Sequence, residues 1–524
     1  MEKQKLWTPP ARGCPHSARH RGGIGIGLAA VLAGMMLGRA EAQTVSSPGA
    51  ETSPPAQAGT PPAASTETSA PTTSSAPGEA GFFTGLFSPS RSNLLGDMGG
   101  LRSFLGNYGI SLGLSEISEV LGNVTGGVHQ GFDYDGVTIM SMGLDTQKAF
   151  GWDGGIFNVS ALQIHGRDLT TDNLYVLQLA SSIEAERTTR LWELWFQQSF
   201  FAGKIDLKIG QQSIDQEFMV DPYSSALFIN AVMGWPALPT VDFYAGGPVY
   251  PLSSLGVRLR AQPTNNITVL AGVFDDNPPG GPFNNDSQLR GAEAAGLAFN
   301  LNTGALWIAE IQYALNQPAV GDMVSPNTPP PGLPGVYKLG FWYDSGAFPD
   351  QRFDTRGISL ASSASNGIPF MHQGNWGVYA LGDQMIWQPD PKGPQWLGVF
   401  ARAMAAPPDR NLVSFSADAG LVLKAPFSGR DNDTAGIGFG VAKISSAAAA
   451  LDTDIAFYTK SNYPERTAET FIEATYQVQI APWWQVQPDF QYFIRPAGGI
   501  PNPLQPGKVI GNEFVLGVRT NVVF

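Results

Sequence analysis

Cysteine is almost missing from this chain: Cys14 is the single cysteine among 524 residues. It precedes an apolar run at residues 24–37, which follows five basic residues and is followed by an A-x-A sequence at residues 40–42. A basic start, a short apolar run and a small-residue cleavage site make the three-part pattern of a secretory signal. We therefore expect residues 1–42 to be a signal peptide. The mature chain would then have neither disulfides nor cysteine-ligated metals.

Charged residues are also scarce. Asp, Glu, Lys and Arg make up 14% of the chain, against about a quarter in ordinary globular proteins. The formal net charge is −13, and because residues 1–42 carry six basic and two acidic residues, cleavage of the signal would leave −17. Nucleic-acid binding usually needs a basic surface, so no nucleic-acid partner is expected.

The residue groupings of common catalytic and metal sites are missing as well. The five histidines do not cluster, since two lie within the predicted signal and His129, His165 and His372 are far apart. The chain has no P-loop and no H-E-x-x-H sequence. We therefore predict no catalytic residue, no metal and no cofactor, and we do not expect an enzyme.

Apolar residues repeat with period two from Ile110 to the end of the chain. Residues 472–480 alternate aliphatic or aromatic side chains with glutamate, threonine and glutamine, and residues 512–524 alternate in a similar way. Because neighbouring residues of a strand point to opposite faces, each of these strands has one apolar and one polar face. The 62 glycines and the 11% of aromatic residues suit tight turns and aromatic girdles.

Two all-β folds use such strands differently. In a soluble sandwich the polar face is solvent surface, whereas in a membrane barrel it lines a lumen and the apolar face meets lipid. The signal pattern, the missing cysteines and the terminal Phe524 favour an antiparallel transmembrane barrel, whose last strand should pair with its first. A C-terminal Phe also looks like the signal read by outer-membrane assembly machinery. Phe524 is therefore predicted to serve barrel closure and assembly.

The sequence predicts that the chain divides into four segments. The signal peptide is followed by residues 43–80, which hold seven prolines and no aromatic residue. This stretch is predicted to be a disordered Pro/Ser/Thr/Ala-rich linker, either an inert tether or a cell-wall contact. Residues 81–108 form a short segment with a helix, because the apolar residues at 101–108 share one helical face. Residues 109–524 form the barrel, for which 16 strands fit well and 14 or 18 would also fit.

Long loops are expected at one end of this barrel, opposite tight turns such as residues 481–483. The predicted loops are stretches rich in Pro, Gly and Asn at residues 275–285, 316–335, 346–373 and 405–411. Loops of this length are uncommon in compact domains unless they are functional or disordered.

Four stretches resemble the OprB family of carbohydrate-selective outer-membrane porins. They are residues 95–127, 182–218, 250–277 and 469–503 with the terminal strand, so the resemblance spans about Leu94 to Phe524. Met98 stands where the family usually has Trp. The resemblance implies a 16-stranded barrel in the outer membrane of a Gram-negative bacterium. It also implies passive uptake of mono- and small oligosaccharides, with sugars and outer-membrane lipid as partners.

A sugar-preferring pore needs carboxylates, arginines and amides for the hydroxyl groups, with an aromatic platform nearby. The hairpin that begins at Arg190 supplies this set. By strand parity, five charged side chains are predicted to face the lumen at a constriction: Glu193, Asp206, Lys208, Arg258 and Arg260. Arg190 lies at the strand edge and Trp195 is the stacking candidate, whereas Trp192 has the parity of a lipid-facing girdle residue. Each charge also fits an ordinary solvated wall.

Three functions compete for this sequence. The first is a carbohydrate-selective channel, with a general-diffusion porin as its nearest alternative. The second is an outer-membrane barrel enzyme with a carboxylate site, which the missing motifs count against. The third is a scaffold protein that contacts the cell wall through its Pro-rich linker.

Overall fold

Sixteen antiparallel strands form a closed barrel in which each strand pairs with its neighbours in sequence. The computed structural model describes residues 91–283, 287–316, 332–505 and 507–524. The predicted signal peptide, the linker and the first part of segment 81–108 lie outside the described residues. The strands are β1 Ile110–Thr125, β2 Gly131–Asp145, β3 Gly155–Gly166, β4 Thr189–Phe200, β5 Ile205–Gln212, β6 Ser254–Thr264, β7 Ile267–Asp275, β8 Ala305–Leu315, β9 Gly335–Asp354, β10 Pro369–Trp387, β11 Trp396–Ala405, β12 Val413–Lys424, β13 Thr434–Ile444, β14 Ala468–Ala481, β15 Trp484–Ile494 and β16 Glu513–Val523.

The two faces of these strands are inverted relative to a soluble sandwich. On β14 the apolar Ile472 is 41% exposed, whereas its neighbour Glu473 is fully buried. The same contrast holds on β9 between Leu339, which is 62% exposed, and Lys338, which is 7% exposed. Apolar side chains thus cover the outside and polar side chains point into the barrel, which confirms the membrane barrel over the sandwich.

The barrel closes between its first and last strands, as predicted. β1 and β16 pair in register, with Glu119 opposite Arg519 and Val120 opposite Val518. The Glu119 carboxylate accepts from Arg519 Nε at 2.7 Å on the inward side. Because no strand edge is left open, the backbone groups of the wall can all find partners within the sheet.

The α-helices of the described residues lie before β1 or in the connections between strands. They are α1 Leu101–Asn107, α2 Thr146–Phe150, α3 Pro222–Leu227, α4 Ala231–Gly234, α5 Ala237–Asp242 and α6 Ser446–Thr459. The predicted N-terminal helix is α1, and it ends before Gly109, whose φ of 76° suits glycine and whose Cβ would meet the Asp145 carbonyl oxygen at 2.5 Å. Within the described ranges, no helix is both long and apolar enough to cross a bilayer.

Two connections fold into the barrel instead of lying at its rim. They are the β3–β4 connection, residues 167–188, and the β5–β6 connection, residues 213–253, which contains α3, α4 and α5. Their apolar side chains, such as Leu174 and Met233, join inward side chains of the wall, such as Phe471 and Phe493, in one buried cluster. The lumen is therefore narrowed by packed protein. Neither connection is among the predicted loops, because composition does not show which connections turn inward.

Two other sequence predictions need correction. Residues 346–373 are not one long loop, because β9 runs to Asp354 and β10 begins at Pro369. Trp192 does not face lipid: it is 9% exposed and packs edge-on against Tyr250, with ring centroids 6.2 Å apart. The reason is a bulge in β4, where Trp192 and Glu193 together lie opposite Ser160. An extra residue in a strand shifts the parity of its side chains, and the alternation of sequence letters does not reveal it.

Candidate functional site

Four of the predicted site residues come together on the inner wall formed by β5 and β6. The register places Lys208 opposite Arg258 and Asp206 opposite Arg260, so each pair shares one height in the barrel. A fifth charged side chain, Glu217 from the β5–β6 connection, lies over them. We call Asp206, Lys208, Glu217, Arg258 and Arg260 the charge cluster.

Arg258 is the centre of the charge cluster. Its Nε lies 2.5 Å from Glu217 Oε2, and its Nη1 binds Asp206 Oδ1. Its Nη2 also donates to Gln197 Oε1 at 3.0 Å. A guanidinium presents five donors in a planar fork, and here that fork joins two strands and a connection. Arg258 is thereby fixed, with only 4% of its side chain exposed.

Lys208 links the charge cluster to Trp195. Its Nζ lies 2.5 Å from Glu217 Oε1 and 4.3 Å from the centre of the Trp195 ring. The ammonium therefore interacts with the indole face as a cation–π contact. Trp195 lies beside the charged groups, as the sequence suggested, but part of its ring face is already covered by Lys208.

Glu217 is the member of the charge cluster that is not among the predicted site residues. It follows the short 3-10 helix Ile214–Gln216, so no strand parity marks it. Burial would raise the pKa of its carboxyl, but Lys208 and Arg258 outweigh burial and hold the pKa below its ordinary value. Glu217 is thus an ionised carboxylate among cations. The only sequence signal was its place at the end of the hairpin that resembles the family.

Exposure divides the charge cluster into two groups. Arg260 has 31% and Glu217 has 21% of its side chain exposed, whereas Asp206, Lys208 and Arg258 are nearly enclosed. Arg260 Nη1 lies 3.2 Å from Asp206 Oδ2, and this ion pair helps to hold the guanidinium in place. Within the charge cluster, Arg260 and Glu217 are therefore the side chains most open to solvent.

Glu193 lies next to the charge cluster on β4. Its Oε1 accepts from the backbone N–H of Ser213 at 3.2 Å, where the β5–β6 connection begins. The residue is 8% exposed. The β4 bulge directs it inward together with Trp192, and it holds the first residue of the connection that carries Glu217.

Arg190 is separate from the charge cluster. Its Nη2 binds Glu293 Oε1 and donates to the Glu293 carbonyl oxygen at 2.8 Å, and 1% of its side chain is exposed. Glu293 lies in the 3-10 helix Gly291–Ala295 of the β7–β8 connection. Arg190 therefore holds the β7–β8 connection against β4. The N–H donors of its guanidinium are enclosed by protein.

Inward carboxylates of the opposite wall bind the backbone of the two inward connections. Glu469 on β14 accepts from the N–H groups of Leu177 and Gln178 at 2.9 and 2.8 Å in the β3–β4 connection. Four residues further along the same strand, Glu473 accepts from Ile229 N–H at 2.6 Å in the β5–β6 connection. The sequence alone predicts a solvated wall at such residues, because their backbone partners lie hundreds of residues away.

Cations of the wall bind carbonyl oxygens of the β5–β6 connection. Arg402 on β11 donates to the Met219 carbonyl at 2.8 Å and to the Val232 carbonyl, and it pairs with Asp418 at 2.9 Å. Lys338 Nζ donates to the Val220 carbonyl at 2.6 Å. Backbone groups buried in the lumen need partners as they do in any core, and the polar wall supplies them.

Two aspartates of the β5–β6 connection are also enclosed. Asp242 accepts from the N–H groups of Leu412 and Val413 at 2.7 and 3.2 Å, and burial raises its pKa well above the ordinary value. Asp221 caps α3 by accepting from Tyr223 and Ser224 N–H. Burial and, next, Asp383 raise the pKa of Asp221 to about 7. These groups anchor the connection and do not line the open lumen.

Other chemistry is not assembled in the part of the chain that the structure describes. There, no three His, Cys, Asp or Glu side chains are grouped to hold a metal ion. The inner wall instead offers fixed charges of both signs beside an aromatic ring. Such an arrangement can bind neutral, hydroxyl-rich solutes weakly and release them.

Comparisons with known proteins agree with this geometry. Porin B of Pseudomonas aeruginosa is 24% identical over 473 residues, which cover 85% of this chain and 94% of that protein. The putative porin QuiX of Acinetobacter baylyi is 23% identical over 79% of this chain and 90% of its own length. The high-pH structure of OprB from Pseudomonas putida superposes with a TM-score of 0.71 at 23% identity, over 84% of this chain and all of that one. The family described as carbohydrate-selective porin, OprB family, matches residues 129–524. This chain belongs to the OprB family of carbohydrate-selective porins.

Proposed function

We propose that this outer-membrane porin admits sugars by passive diffusion and selects them at the charge cluster. The observation that carries the proposal is the position of Arg260 and Glu217, two partly exposed and opposite charges held by enclosed partners on one wall. Family membership supports the sugar channel in the outer membrane of a Gram-negative bacterium. The choice of these particular residues is our inference from their exposure and contacts.

The charge cluster suits a sugar because it is rigid and electrically balanced. Three cations and two carboxylates are joined by ion pairs, and Glu193 next to them supplies a third carboxylate. A hydroxyl group can donate to Glu217 and accept from Arg260, exchanging bonds with water for bonds with the wall. The net gain of one such bond is only about 0.5–1.5 kcal/mol, so a sugar is held briefly and then released.

Trp195 contributes through Lys208 in this proposal. The indole ring lies 4.3 Å from the ammonium and is only partly buried. The C–H face of a sugar ring can pack against the exposed part of such a ring while its hydroxyls reach the charges. Arg190, which is enclosed with Glu293, supports the wall and is not among the contacts that we assign to the sugar.

Proteoliposome swelling tests the sugar preference directly. We expect monosaccharides to enter faster than amino acids and amides of similar mass, and disaccharides to enter more slowly than monosaccharides. Equal rates for sugars and other solutes of one size would identify a general-diffusion porin instead. If neither the sugars nor the other solutes enter, the protein does not form an open channel.

The family and the fold indicate a channel rather than an enzyme. The chain contains one G-x-S-x-G sequence, at residues 109–113. Its Ser111 lies in strand β1 opposite Gly143 and not on the strand-to-helix turn that a nucleophile needs. We further infer that Asp206 and Glu217 perform no hydrolysis, because each is held by cations. Unchanged oligosaccharides after long incubation with the pure protein would agree with this.

The remaining segments are proposed on sequence alone. We infer that residues 1–42 direct export and that residues 43–80 tether the barrel segment or touch the cell wall, and these residues lie outside the described structure. N-terminal sequencing of the purified protein should begin at residue 43. Removal of residues 43–80 should leave single-channel conductance unchanged.

A further inference from the structure

A groove lies on the outside of the barrel, next to helix α6. Its volume is about 820 Å³, and its lining includes Phe415 on β12, Val441 and Lys443 on β13, and Ala468 on β14. We call it the outer groove. It is separate from the charge cluster, which lies on the inner wall of β5 and β6.

The wall of the outer groove belongs to the lipid-facing side of its strands. On β13, Lys443 shares the parity of Phe439 and Ile437, which are 43% and 50% exposed, whereas Ala442 between them is fully buried. In the register Lys443 lies opposite Phe415, which is also exposed. Because side chains alternate along a strand, Lys443 points out of the barrel.

One face of α6 forms the other wall of the outer groove. Four small side chains of the helix line it: Ser446, Ala449, Ala450 and Thr453. Residues three and four positions apart lie on one side of a helix. Since outward residues of β12 and β13 line the same groove, this part of α6 overhangs the outer surface of the barrel. Asp452 pairs with Arg466 Nε at 2.8 Å, which ties α6 to the segment that leads into β14.

The outer groove lies at the end of the barrel that carries the long connections. Helix α6 is part of the β13–β14 connection, residues 445–467, at the same end as the two inward connections. The opposite end has tight turns such as residues 482–483 between β14 and β15. In outer-membrane barrels the longer connections are extracellular and the tight turns periplasmic. The outer groove therefore faces the outer leaflet, whose lipid in Gram-negative bacteria is a phosphorylated glycolipid.

Lys443 places a free cation in the outer groove. Its side chain is exposed, and none of the described residues pairs with its ammonium group. Two other charged residues line the groove: Arg466, which Asp452 occupies, and the exposed Glu465. A lysine ammonium binds phosphate as a point charge, and basic pockets at membrane surfaces bind anionic headgroups. Glu465 and the hydroxyl of Thr453 can accept hydrogen bonds from the hydroxyl groups of a glycolipid headgroup.

A second, apolar groove continues along the same strands toward the middle of the wall. Its volume is about 470 Å³, and its lining includes Ala419 and Leu421 on β12 and Ile437 and Phe439 on β13. The six residues from Lys443 to Ile437 span about 20 Å of strand. Acyl chains can lie in this groove over the small side chain of Ala419. The outer surface thus offers a polar site and an apolar site in the order that an amphipathic lipid requires.

We propose that the outer groove binds one molecule of a phosphorylated glycolipid, with a phosphate paired to Lys443 and acyl chains in the second groove. The charge of Lys443 complements the phosphate. Lipids elsewhere on the wall touch the barrel from one side, whereas here α6 encloses the headgroup from a second side. The site is independent of sugar passage, because Lys443 and its neighbours face away from the lumen.

Native mass spectrometry of the purified protein in mild detergent, with added diphosphoryl lipid A, tests the charge. We expect the wild type to retain one lipid A and Lys443→Glu to retain at least tenfold less. Lys508→Glu is the matched control, because Lys508 is exposed on the β15–β16 connection at the same end of the barrel and does not line the outer groove. Equal retention by wild type and Lys443→Glu, or equal retention of phosphatidylglycerol and lipid A, would overturn the proposal.

A variant that keeps Lys443 tests the groove itself. Ala450→Phe should fill the space between α6 and the wall and lower retention of lipid A at least tenfold. Thr459→Phe, at the exposed end of α6, is its control and should retain lipid A as the wild type does. Heat-modifiable migration on gels should show that all four variants are folded. If Ala450→Phe retains as much lipid A as the wild type, the lipid is not held in the outer groove and the proposal is wrong.

Discussion

Glu217 and Arg258 join two separate parts of the fold: Oε2 of Glu217, on the inward β5–β6 connection, lies 2.5 Å from Nε of Arg258 on β6. The other carboxylate oxygen of Glu217 lies 2.5 Å from Lys208 on β5. One carboxylate therefore fixes the connection to the wall and balances two enclosed cations. Because the pair joins a connection inside the lumen to the wall, we expect both the aperture and the charge of the lumen to depend on it.

Replacing Glu217 by Gln should make the channel more selective for anions. The substitution keeps the shape of the side chain but leaves Lys208 and Arg258 without their shared counter-ion. We expect the reversal potential in a salt gradient to move toward the anion limit and sugar block of ion current to weaken several-fold. Glu465→Gln, at an exposed site of the β13–β14 connection, is the matched control and should change neither quantity.

The pH dependence of the same variant follows from the lowered pKa of Glu217. A carboxyl whose pKa lies below its ordinary value stays ionised as the pH falls through that value. The difference in ion selectivity between wild type and Glu217→Gln should therefore persist from neutral pH to below the ordinary glutamate pKa of about 4.3, and then vanish. A difference that disappears already near pH 6 would contradict the ion pairs.

Arg260→Ala should affect sugar block, whereas Arg190→Ala should affect the stability of the barrel. Arg260 is partly exposed to the lumen, so its loss should weaken sugar block several-fold while the barrel stays stable. Arg190 is enclosed with Glu293, so its loss leaves a buried carboxylate unpaired, at a cost of about 3–5 kcal/mol in the free energy of unfolding. Bilayer recordings and thermal unfolding of both variants would separate the roles. If Arg190→Ala strongly weakens sugar block and leaves stability normal, Arg190 contacts the sugar, contrary to this prediction.

Strand parity predicted the wall of this barrel well, because period two is a local property of the sequence. The alternation around Ile472 and Glu473 gave the correct inward and outward faces, and the 16 strands close as expected. Parity failed at Trp192, where the bulge opposite Ser160 turns two neighbouring residues inward. A bulge depends on the partner strand, so one strand read alone cannot reveal it.

The site was only partly predictable for a related reason. Strand parity places four of the site residues on the inner face of two neighbouring strands, where the structure also has them: Asp206, Lys208, Arg258 and Arg260. Glu217 lies on a connection that folds back into the lumen, and that path is set by distant contacts such as Glu473 with Ile229. Contacts between residues 244 positions apart leave no periodic trace in the sequence.

Glu473→Ala should loosen the inward β5–β6 connection. Glu473 accepts from the backbone N–H groups of Ile229 and Asn230 at 2.6 and 3.2 Å inside the barrel. Its removal leaves both donors buried without a partner, at about 1–3 kcal/mol each. We expect a larger and noisier single-channel conductance and weaker discrimination between mono- and disaccharides. Conductance indistinguishable from that of wild type and of Glu465→Ala would mean that other contacts hold the connection.

The stability of the same connection should depend on pH through Asp221. Its pKa is raised to about 7 from an ordinary value of 3.8, mainly by burial. Between about pH 4 and pH 7 the folded state therefore keeps a proton that the unfolded state releases, so this contribution to the free energy of unfolding falls as pH rises through that window. Asp221→Asn can still accept from Tyr223 and Ser224 N–H and should flatten the slope. Urea unfolding at several pH values, wild type beside variant, measures it, and parallel slopes would rule Asp221 out.

Phe524 has two predicted roles that different variants can separate. Its backbone N–H donates to the Leu114 carbonyl at 2.9 Å. Its backbone oxygen accepts from Arg102 Nη2 at 2.5 Å, and Arg102 Nη1 donates to the Leu112 carbonyl at 3.0 Å. Helix α1 thus fastens the end of β16 to β1. These bonds use only the backbone of Phe524, so Phe524→Ala keeps them, whereas Arg102→Ala removes the fastening and keeps the aromatic ring.

If assembly machinery reads the Phe524 ring, Phe524→Ala should lower the amount of barrel in the outer membrane of cells several-fold. Its refolding from urea into detergent should match that of wild type, because the strand pairing is intact. Arg102→Ala should reach the membrane in normal amounts but unfold at a lower temperature, since it loses bonds between α1 and the strands. Heat-modifiable migration on gels measures folding in both settings. Normal membrane levels of Phe524→Ala would restrict Phe524 to closing the sheet, and poor refolding of that variant in detergent would show that its ring is needed for the fold itself.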